Sequence, residues 1–502
     1  MTKASSVLRF VLDGKIVSID FAGQTSLKPS TTVLKYLRSL EGHKGVKEGC
    51  GEGDCGACTV VIAEPCENGY LRYKAVDSCL VFLPAMHGKQ LITVENLAVE
   101  INGKKELHPV QKAMIDLSGS QCGYCTPGIV MSLFALFKNF VNPSKETIQD
   151  NLTGNLCRCT GYQAIIEAAE KACYSGSKDH FSENGKFILS LLEEINSTGE
   201  SLCLETQSQK YYRPASLNHL FGILAESKDA VIVNGSTDVA LRQTKKHEHL
   251  KTIVDISGVN ELRFVQKSDN SLVFGAGATI ECVRENVKDV IPAFYELLNV
   301  FGSLQIRNVA TIGGNIGSAS PIGDTLPMLF ALGASVVLKN KSTERNLLLQ
   351  DFITAYRKTA LVPGEIIYKV IIPIPENDVF LKSYKVSRRK NIDISTVSGA
   401  LRLKTEAGII KEIALAFGGV APIPLRATQT EVFLKGKVWN ENTMEEATEI
   451  LYHEFSPISD ARAGDEFRRT VTANLLRKFY EESFLIIKNY ELRITNGKTL
   501  GR

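Results

Sequence analysis

The sequence predicts a multidomain α+β protein, on three observations. Residues 5–21 alternate apolar and polar side chains about Asp13-Gly14, the pattern of a hairpin closed by a primed turn. From Pro109 the apolar period becomes helical, with Val110, Met114 and Leu117 on one face. Past Tyr211, strand-like and helix-like stretches alternate. A chain of 502 residues has room for about three or four such domains.

Taken in order, the hairpin is followed by a helix over 31–40, with Val33, Leu34, Tyr36 and Leu37 on one side. Strands at 59–63 and ending near Val94 complete a small β-grasp-like domain, 1–95. A helical domain, 96–176, holds helices at 129–140, from Lys145 (capped by Ser144) and at 162–173. Pro127-Gly128 is expected to separate Cys125 from the helix that follows. Residues 177–208 lie in a polar stretch and read as a linker with one helix near 188–195. The remainder divides into 209–378 and a final α+β unit, 379–488, with alternation at 398–403 and 413–417 and helices at 444–451 and 466–480. Residues 489–502 are a tail.

Hydrophobic content of 44% and charged content of 23% are those of an ordinary globular protein. A net charge of +3, with no basic stripe interleaved with aromatics, argues against a nucleic-acid partner. The N-terminus lacks the apolar core of a signal peptide, and the longest apolar run, 129–137, is too short for a membrane span. The expected location is therefore the cytoplasm. There, twelve cysteines point to metal or redox chemistry rather than cross-links.

The chemistry concentrates in 47–58, where Cys50, Cys55 and Cys58 stand at C-x4-C-x2-C spacing, with Cys79 beyond. That spacing is the plant-type pattern for a 2Fe–2S cluster. The intervening glycines let backbone amides turn inward toward anionic sulfur. A second set follows, Cys122-x2-Cys125 and Cys157-x-Cys159, at predicted helix junctions where free amides suit an anionic cluster. Gly51-x-Gly53-x-x-Gly56 satisfies a dinucleotide pattern literally, but it is threaded with cysteines and opens no amphipathic helix. Structural zinc is the stronger rival, and the second set by itself leaves zinc and iron–sulfur open. Cys66, Cys173, Cys203 and Cys282 fall outside both sets and read as ordinary thiols. Two small-residue stretches stand out later: Ile232-Val233-Asn234-Gly235-Ser236-Thr237-Asp238, and the run from Ala310 to Ser320. Side chains this small let a backbone approach a pyrophosphate, although such loops are also common as plain turns.

With both cysteine sets in hand, Gln121-Cys-Gly-Tyr-Cys-Thr-Pro-Gly128, Cys157-Arg-Cys-Thr-Gly-Tyr162, the run Gln305 to Asn315, Ala319 to Asp324 and Phe417 to Pro422 carry a resemblance to the molybdenum hydroxylases. The likeness runs from about residue 6 to about residue 485, and is strongest to the iron–sulfur/FAD small subunits of the bacterial xanthine dehydrogenases. It implies a β-grasp ferredoxin-like domain, a helical 2Fe–2S domain, an α+β FAD-binding domain of the PCMH/vanillyl-alcohol-oxidase type and a C-terminal α+β flavoprotein domain. It assigns Cys50, Cys55, Cys58 and Cys79 to one cluster, and Cys122, Cys125, Cys157 and Cys159 to the other. FAD would lie across residues 232–238 and Thr311, Ile312, Gly313, Gly314 and Asn315, with Phe301, Asp324, Ile367 and Lys385 as further contacts. Gln121 would face the pterin of a molybdenum cofactor.

No molybdenum-cofactor domain follows residue 502, so that cofactor is expected on a large partner subunit of a hetero-oligomer. The resemblance implies electron transfer from molybdenum through the helical-domain cluster, then the ferredoxin-like cluster, then FAD, to NAD. Hydroxylases of aldehydes, nicotinate or carbon monoxide, or oxygen as acceptor, are the alternatives. One loop departs from the family pattern: Ser387-Arg388-Arg389 is followed by Lys390-Asn391-Ile392-Asp393, one residue longer and less acidic than in fused-chain members. The resemblance implies that this loop governs nicotinamide access. No acid–base residue is assigned, because the redox chemistry belongs to the cofactors.

Overall fold

The computed structural model describes residues 4–23, 25–66, 68–174, 178–197 and 199–498, with side chains described as far as residue 484 except at position 101. It forms two compact units. The first comprises Met1–Phe264, Gly277–Cys282 and Gly302–Gly314; the second comprises Val265–Ala276, Val283–Phe301 and Asn315–Arg502.

The first unit opens on the expected hairpin, Val7–Leu12 against Lys15–Asp20. Asp13 and Gly14 both adopt positive φ, 53° and 70°, as a primed turn demands. These strands join Gln90–Ile92, Thr59–Pro65 and Leu71–Asp77 in one mixed sheet, whose only parallel pair is Val7–Leu12 with Gln90–Ile92. Thr32 caps the helix Val33–Ser39, which packs Val33, Leu34 and Leu37 onto this sheet with Leu8 and Phe10. The run 60–63 is apolar throughout because the strand is covered on both faces. Val60 and Ile62 point into that core, while Val61 and Ala63 point into the helical one.

Four helices, Pro109–Asp116, Thr126–Asn139, Lys145–Leu152 and Gln163–Ala172, make the helical core around Ile129, Leu133, Phe134 and Ile165. Ser144 caps its helix as expected, accepting from the Thr147 amide. Pro127-Gly128 does not interrupt the chain after Cys125. Both residues lie in the first turn of Thr126–Asn139, where a proline loses no intrahelical bond, and Cys125 is the N-cap residue.

The stretch read as a linker is structured. Helix Gly185–Asn196 lays Ile188, Leu192 and Ile195 over Val11, and Leu202–Glu205 is a strand. The helix expected near 188–195 is present and longer, and its i, i+4, i+7 spacing gives it an apolar stripe. A four-stranded sheet follows, in the order Val231–Val233, Thr252–Asp255, Lys210–Arg213, Leu202–Glu205. Its Leu204, Tyr211 and Ile253 share the core of the first sheet, so the cysteine-bearing part and the turn at 232–238 stand on one packed body.

Among the described residues the second unit holds two larger antiparallel sheets, besides a two-stranded pairing of Ile353–Ala355 with Lys358–Thr359. One orders Val265–Lys267, Ser271–Gly275, Ile366–Pro373, Ser335–Lys339 and Glu344–Leu348. The other orders Val379–Val386, Val397–Glu406, Ile409–Gly418 and Leu425–Arg426. Helices Glu441–Glu454 and Asp465–Lys498 accompany the second sheet, and Trp439, Leu451, Leu476 and Phe479 fill its core with Phe417. Residues 209–378 thus contribute to both units. Among the described residues, no helix is long and apolar enough to cross a membrane.

Candidate metal centres and flavin site

The loop 47–58 turns tightly around its own thiols. The amides of Glu52 and Asp54 donate to Cys50 Sγ at 3.4 and 3.3 Å, and the Cys50 amide donates to Cys55 Sγ at 3.3 Å. Gly51, Gly53 and Gly56 take φ of 66°, 76° and 68°, which carries these amides inward. Thiol–thiol contacts pair Cys50 with Cys55 and Cys58 with Cys79. The Cys50 thiol is pulled down to about 5, first by its hydrogen bond with Cys55 and then, against burial, by the Glu52 and Asp54 amides. Its neighbour Cys55 is driven up by the same contact, and Cys58 is driven up by Cys79 and by burial. Asp77, 1% exposed and 3.8 Å from Cys58 Sγ, is pushed up to about 7 by burial and by Cys50.

The second set assembles from two segments. Cys125 heads the helix Thr126–Asn139, Cys122 precedes it, and Cys157 and Cys159 stand before Gln163–Ala172. Cys125 pairs with Cys157 and Cys122 with Cys159. Burial, then Cys157, pushes the Cys125 thiol up to about 12. Burial opposes ionisation of Cys157 as well, but the Thr160 hydroxyl at 3.2 Å and nearby amides hold it below its ordinary value. Tyr162, in left-handed conformation at φ 69°, clamps this loop. Its hydroxyl accepts from the Cys157 amide at 2.7 Å and donates to the Asn155 carbonyl at 3.1 Å.

These donor sets fit 2Fe–2S clusters. Among the described residues no three His, Cys, Asp or Glu side chains converge on a site for a single ion. The thiols come instead as two pairs per set, and a binuclear cluster takes four thiolates. Cys122 and Gln121 are exposed, whereas Cys58 and Cys79 are buried.

Further contacts, not anticipated from sequence, knit the sites together inside the first unit. The Leu156 amide donates to the Cys55 carbonyl at 3.0 Å. Ser236 donates its hydroxyl to the Leu80 carbonyl at 2.6 Å, one residue beyond Cys79. Lys245 reaches the Cys50 carbonyl at 3.0 Å and Glu52 at 3.4 Å. Gln305 donates to Ser132, to the Asn151 carbonyl and to Asn155 at 2.9–3.1 Å. Arg307, fully buried, bonds Asp150 and Glu281 at 2.7 Å each. Gln305 and Arg307 sat in a recognisable run, but their partners were not legible, since all but Glu281 lie 150 or more residues away.

The two small-residue stretches meet in that unit. A Cβ at Gly235, whose φ is 80°, would stand 1.8 Å from the Val309 carbonyl oxygen, so only glycine permits this approach. Thr311 Oγ1 accepts from the Gly314 amide at 3.1 Å and lies 3.4 Å from the Asn234 carbonyl, to which it donates. The Val233 and Ile312 side chains are core, and the Ser236 hydroxyl is taken by Leu80, so these positions offer backbone only. Asn234, Gly235 and Thr237 are half-buried, and Asp238 is exposed. Such a small-residue surface fits the close approach of a diphosphate.

In the second unit, Lys385 pairs with Asp324 at 2.7 Å and donates to the Val300 carbonyl at 3.0 Å, next to half-buried Phe301. Ser395 donates to the other Asp324 oxygen at 2.5 Å. Asn315 accepts from the Thr325 hydroxyl. The Ile367 side chain is buried on Ile366–Pro373.

Four family models match the chain in succession: a 2Fe-2S iron-sulfur cluster binding domain over 20–81, a [2Fe-2S] binding domain over 93–170, the FAD binding domain in molybdopterin dehydrogenase over 205–375, and the CO dehydrogenase flavoprotein C-terminal domain over 382–483. The chain belongs to the molybdenum hydroxylase family.

It is an electron-transfer part of such an enzyme, built of 2Fe–2S and FAD domains. The molybdenum hydroxylase chain is 32% identical to the xanthine dehydrogenase/oxidase of Gallus gallus over 94% of its length, and 32% identical to xanthine dehydrogenase 1 of Arabidopsis thaliana over 89%. It spans about two fifths of the length of these relatives, 40% and 38%. Among solved structures it is similar to a carbon monoxide dehydrogenase from Hydrogenophaga pseudoflava, with 22% identity and TM-score 0.52. It is also similar to quinoline 2-oxidoreductase from Pseudomonas putida 86, with 25% identity and TM-score 0.51. Each of these alignments covers 55% of this chain, and 96% and 97% of the other.

Proposed function

We propose that this chain is the iron–sulfur/FAD subunit of a xanthine dehydrogenase, taking electrons from a molybdopterin cofactor held by a large partner subunit and delivering them to NAD. One observation carries the reading. Within a single packed body, the second cysteine set is bonded to the first through Leu156 and Cys55, and the first to the small-residue turn through Leu80 and Ser236. Two clusters and a flavin turn in bonded succession suit electron relay, and the identity to xanthine dehydrogenases over some nine tenths of the chain supports the purine substrate.

When bound, the clusters would supply one-electron chemistry and the flavin two-electron chemistry with a nicotinamide. The chain's residues hold those groups. Eight cysteines ligate the clusters, and the Glu52, Asp54 and Cys50 amides stabilise anionic sulfur. Residues 232–238 and 311–315 offer backbone amides to the FAD diphosphate, while Phe301, Asp324, Ile367 and Lys385 serve the ring. Lys385 is fixed for that role by Asp324 and the Val300 carbonyl. Exposed Gln121 and Cys122 present the outer edge of the second set to the partner's pterin. The subunit reading puts the protein in the cytoplasm.

A second reading, hydroxylation of another heterocycle, aldehyde, nicotinate or carbon monoxide in the same complex, draws on the likeness to quinoline 2-oxidoreductase. The loop 387–393 bears on the acceptor, since Arg388, Arg389 and Lys390 are exposed where a more acidic loop would discourage anions.

The test is a division of labour. NADH should bleach the bound flavin of the isolated chain, and xanthine should be oxidised only after the molybdenum-bearing partner is added. Bleaching by dithionite but not by NADH would reject NAD and point to oxygen or a ferredoxin. A complex that oxidises quinoline or an aldehyde but not xanthine would reject the purine substrate.

A further inference from the structure

We infer that Asn155 is a positioning residue that sets the separation of the two cluster loops; this rests on the reading of the eight cysteines as ligands of two 2Fe–2S clusters. Asn155 is 2% exposed, and every hydrogen-bonding group of its side chain is used. Its Nδ2 donates to the Gly56 carbonyl and to Thr59 Oγ1, both at 3.1 Å. Its Oδ1 accepts from the Ser132 hydroxyl at 2.5 Å and from Gln305 Nε2 at 3.0 Å. Gly56 lies between Cys55 and Cys58, and Asn155 stands two residues before Cys157. One amide group therefore joins the loop of the first set to the loop of the second.

Local geometry leaves this joint little play. A Cβ at Gly56 would stand 2.1 Å from the Gly154 carbonyl oxygen and 2.6 Å from Asn155 Nδ2, so the two loops touch at backbone distance. The next residue repeats the tie, since the Leu156 amide donates to the Cys55 carbonyl at 3.0 Å. On the other side, the Asn155 carbonyl accepts from Tyr162, whose hydroxyl also receives the Cys157 amide. A buried asparagine is often only a satisfied core amide. Here its two donors go to one cysteine loop while its own backbone carries the other, and a buried amide with all partners met holds a single geometry. Electron exchange and magnetic interaction between two paramagnetic centres both fall steeply with distance, so a residue that fixes the distance governs both.

The test uses the full chain, reduced with dithionite, with iron counted and electron paramagnetic resonance recorded at low temperature. The unaltered protein should show two reduced-cluster signals split by their mutual interaction. Asn155→Ala should keep its iron but lose much of that splitting. Thr59→Val removes one of the four side-chain bonds and should give a smaller loss in the same direction; it decides the matter where Asn155→Ala fails to fold. Asn139→Ala is the control, since that amide donates to the Tyr73 and Ala135 carbonyls at 2.8 Å rather than to a cluster loop, and its splitting should be unchanged. Unsplit signals in the unaltered protein, or splitting in Thr59→Val and any folded Asn155→Ala equal to that of the unaltered protein, would overturn the role of Asn155. Equal losses in Asn139→Ala would reduce it to a general structural one. Missing iron in the unaltered protein would overturn the cluster reading, and this inference with it.

Discussion

The amide of Leu156 donates to the carbonyl of Cys55 at 3.0 Å, so the residue preceding one cysteine of the second set is bonded to a cysteine of the first. The two sets are separated by about 40 residues of sequence between Cys79 and Cys122, yet they share a bonded joint. Their ligands nevertheless remain distinct, and that distinction is open to test.

Cys157→Ser should abolish the helical-domain cluster and spare the other, because Cys157 pairs with Cys125 and not with any member of the first set. Electron paramagnetic resonance should show one reduced-cluster signal in place of two. Loss of both signals from a folded protein would contradict the two-set assignment.

Gly56→Ala should be far more damaging than its size implies. The residue has φ of 68°, and its Cβ would meet the Gly154 carbonyl oxygen at 2.1 Å. The loops must part to admit it, so iron content should fall for both clusters. Full iron loading of Gly56→Ala would show that the joint is dispensable.

Arg307→Leu should lower the melting temperature, since removing one member of a buried ion pair costs about 3–5 kcal/mol. Arg307 is fully buried between Asp150 and Glu281, which joins the helical domain to the segment after Ser303. Arg307→Lys should recover part of the loss, because a lysine cannot serve both carboxylates with a guanidinium fork. An unchanged melting curve for Arg307→Leu would contradict this.

Stability should fall with acid through a window set by His87. Its Nδ1 accepts the Arg9 amide at 3.2 Å, which requires a neutral ring, and burial, then Arg213 and Arg9, depress it from 6.5 to about 4. Because the unfolded chain takes up this proton first, the contribution is complete above 6.5 and is lost as pH falls toward about 4. His87→Gln should flatten the stability profile across that window. A profile of unchanged slope would place the acid sensitivity elsewhere.

Much of this was legible in the sequence for local reasons. Cysteine spacing announces a cluster loop because all but one of its ligands lie within nine residues, Cys50 to Cys58, and Asp13-Gly14 announces its hairpin through backbone conformation alone. The helix Gly185–Asn196 was half legible, its apolar stripe lying inside a polar composition. The role of Pro127-Gly128 was misread, since a proline before an apolar run opens a helix as readily as it delays one. The joint at Asn155, Gln305 and Arg307 was not legible. Each partner lies on a different element, and nothing local to an asparagine or arginine reveals which distant carbonyl or carboxylate completes it.

The central claim, two 2Fe–2S clusters and a flavin on one chain, is tested most directly by elemental and flavin analysis of the purified protein. The account predicts about four irons and four acid-labile sulfides per chain, from two four-thiolate sets, together with about one FAD. Zinc at about two per chain with little iron, or iron without flavin, would contradict it.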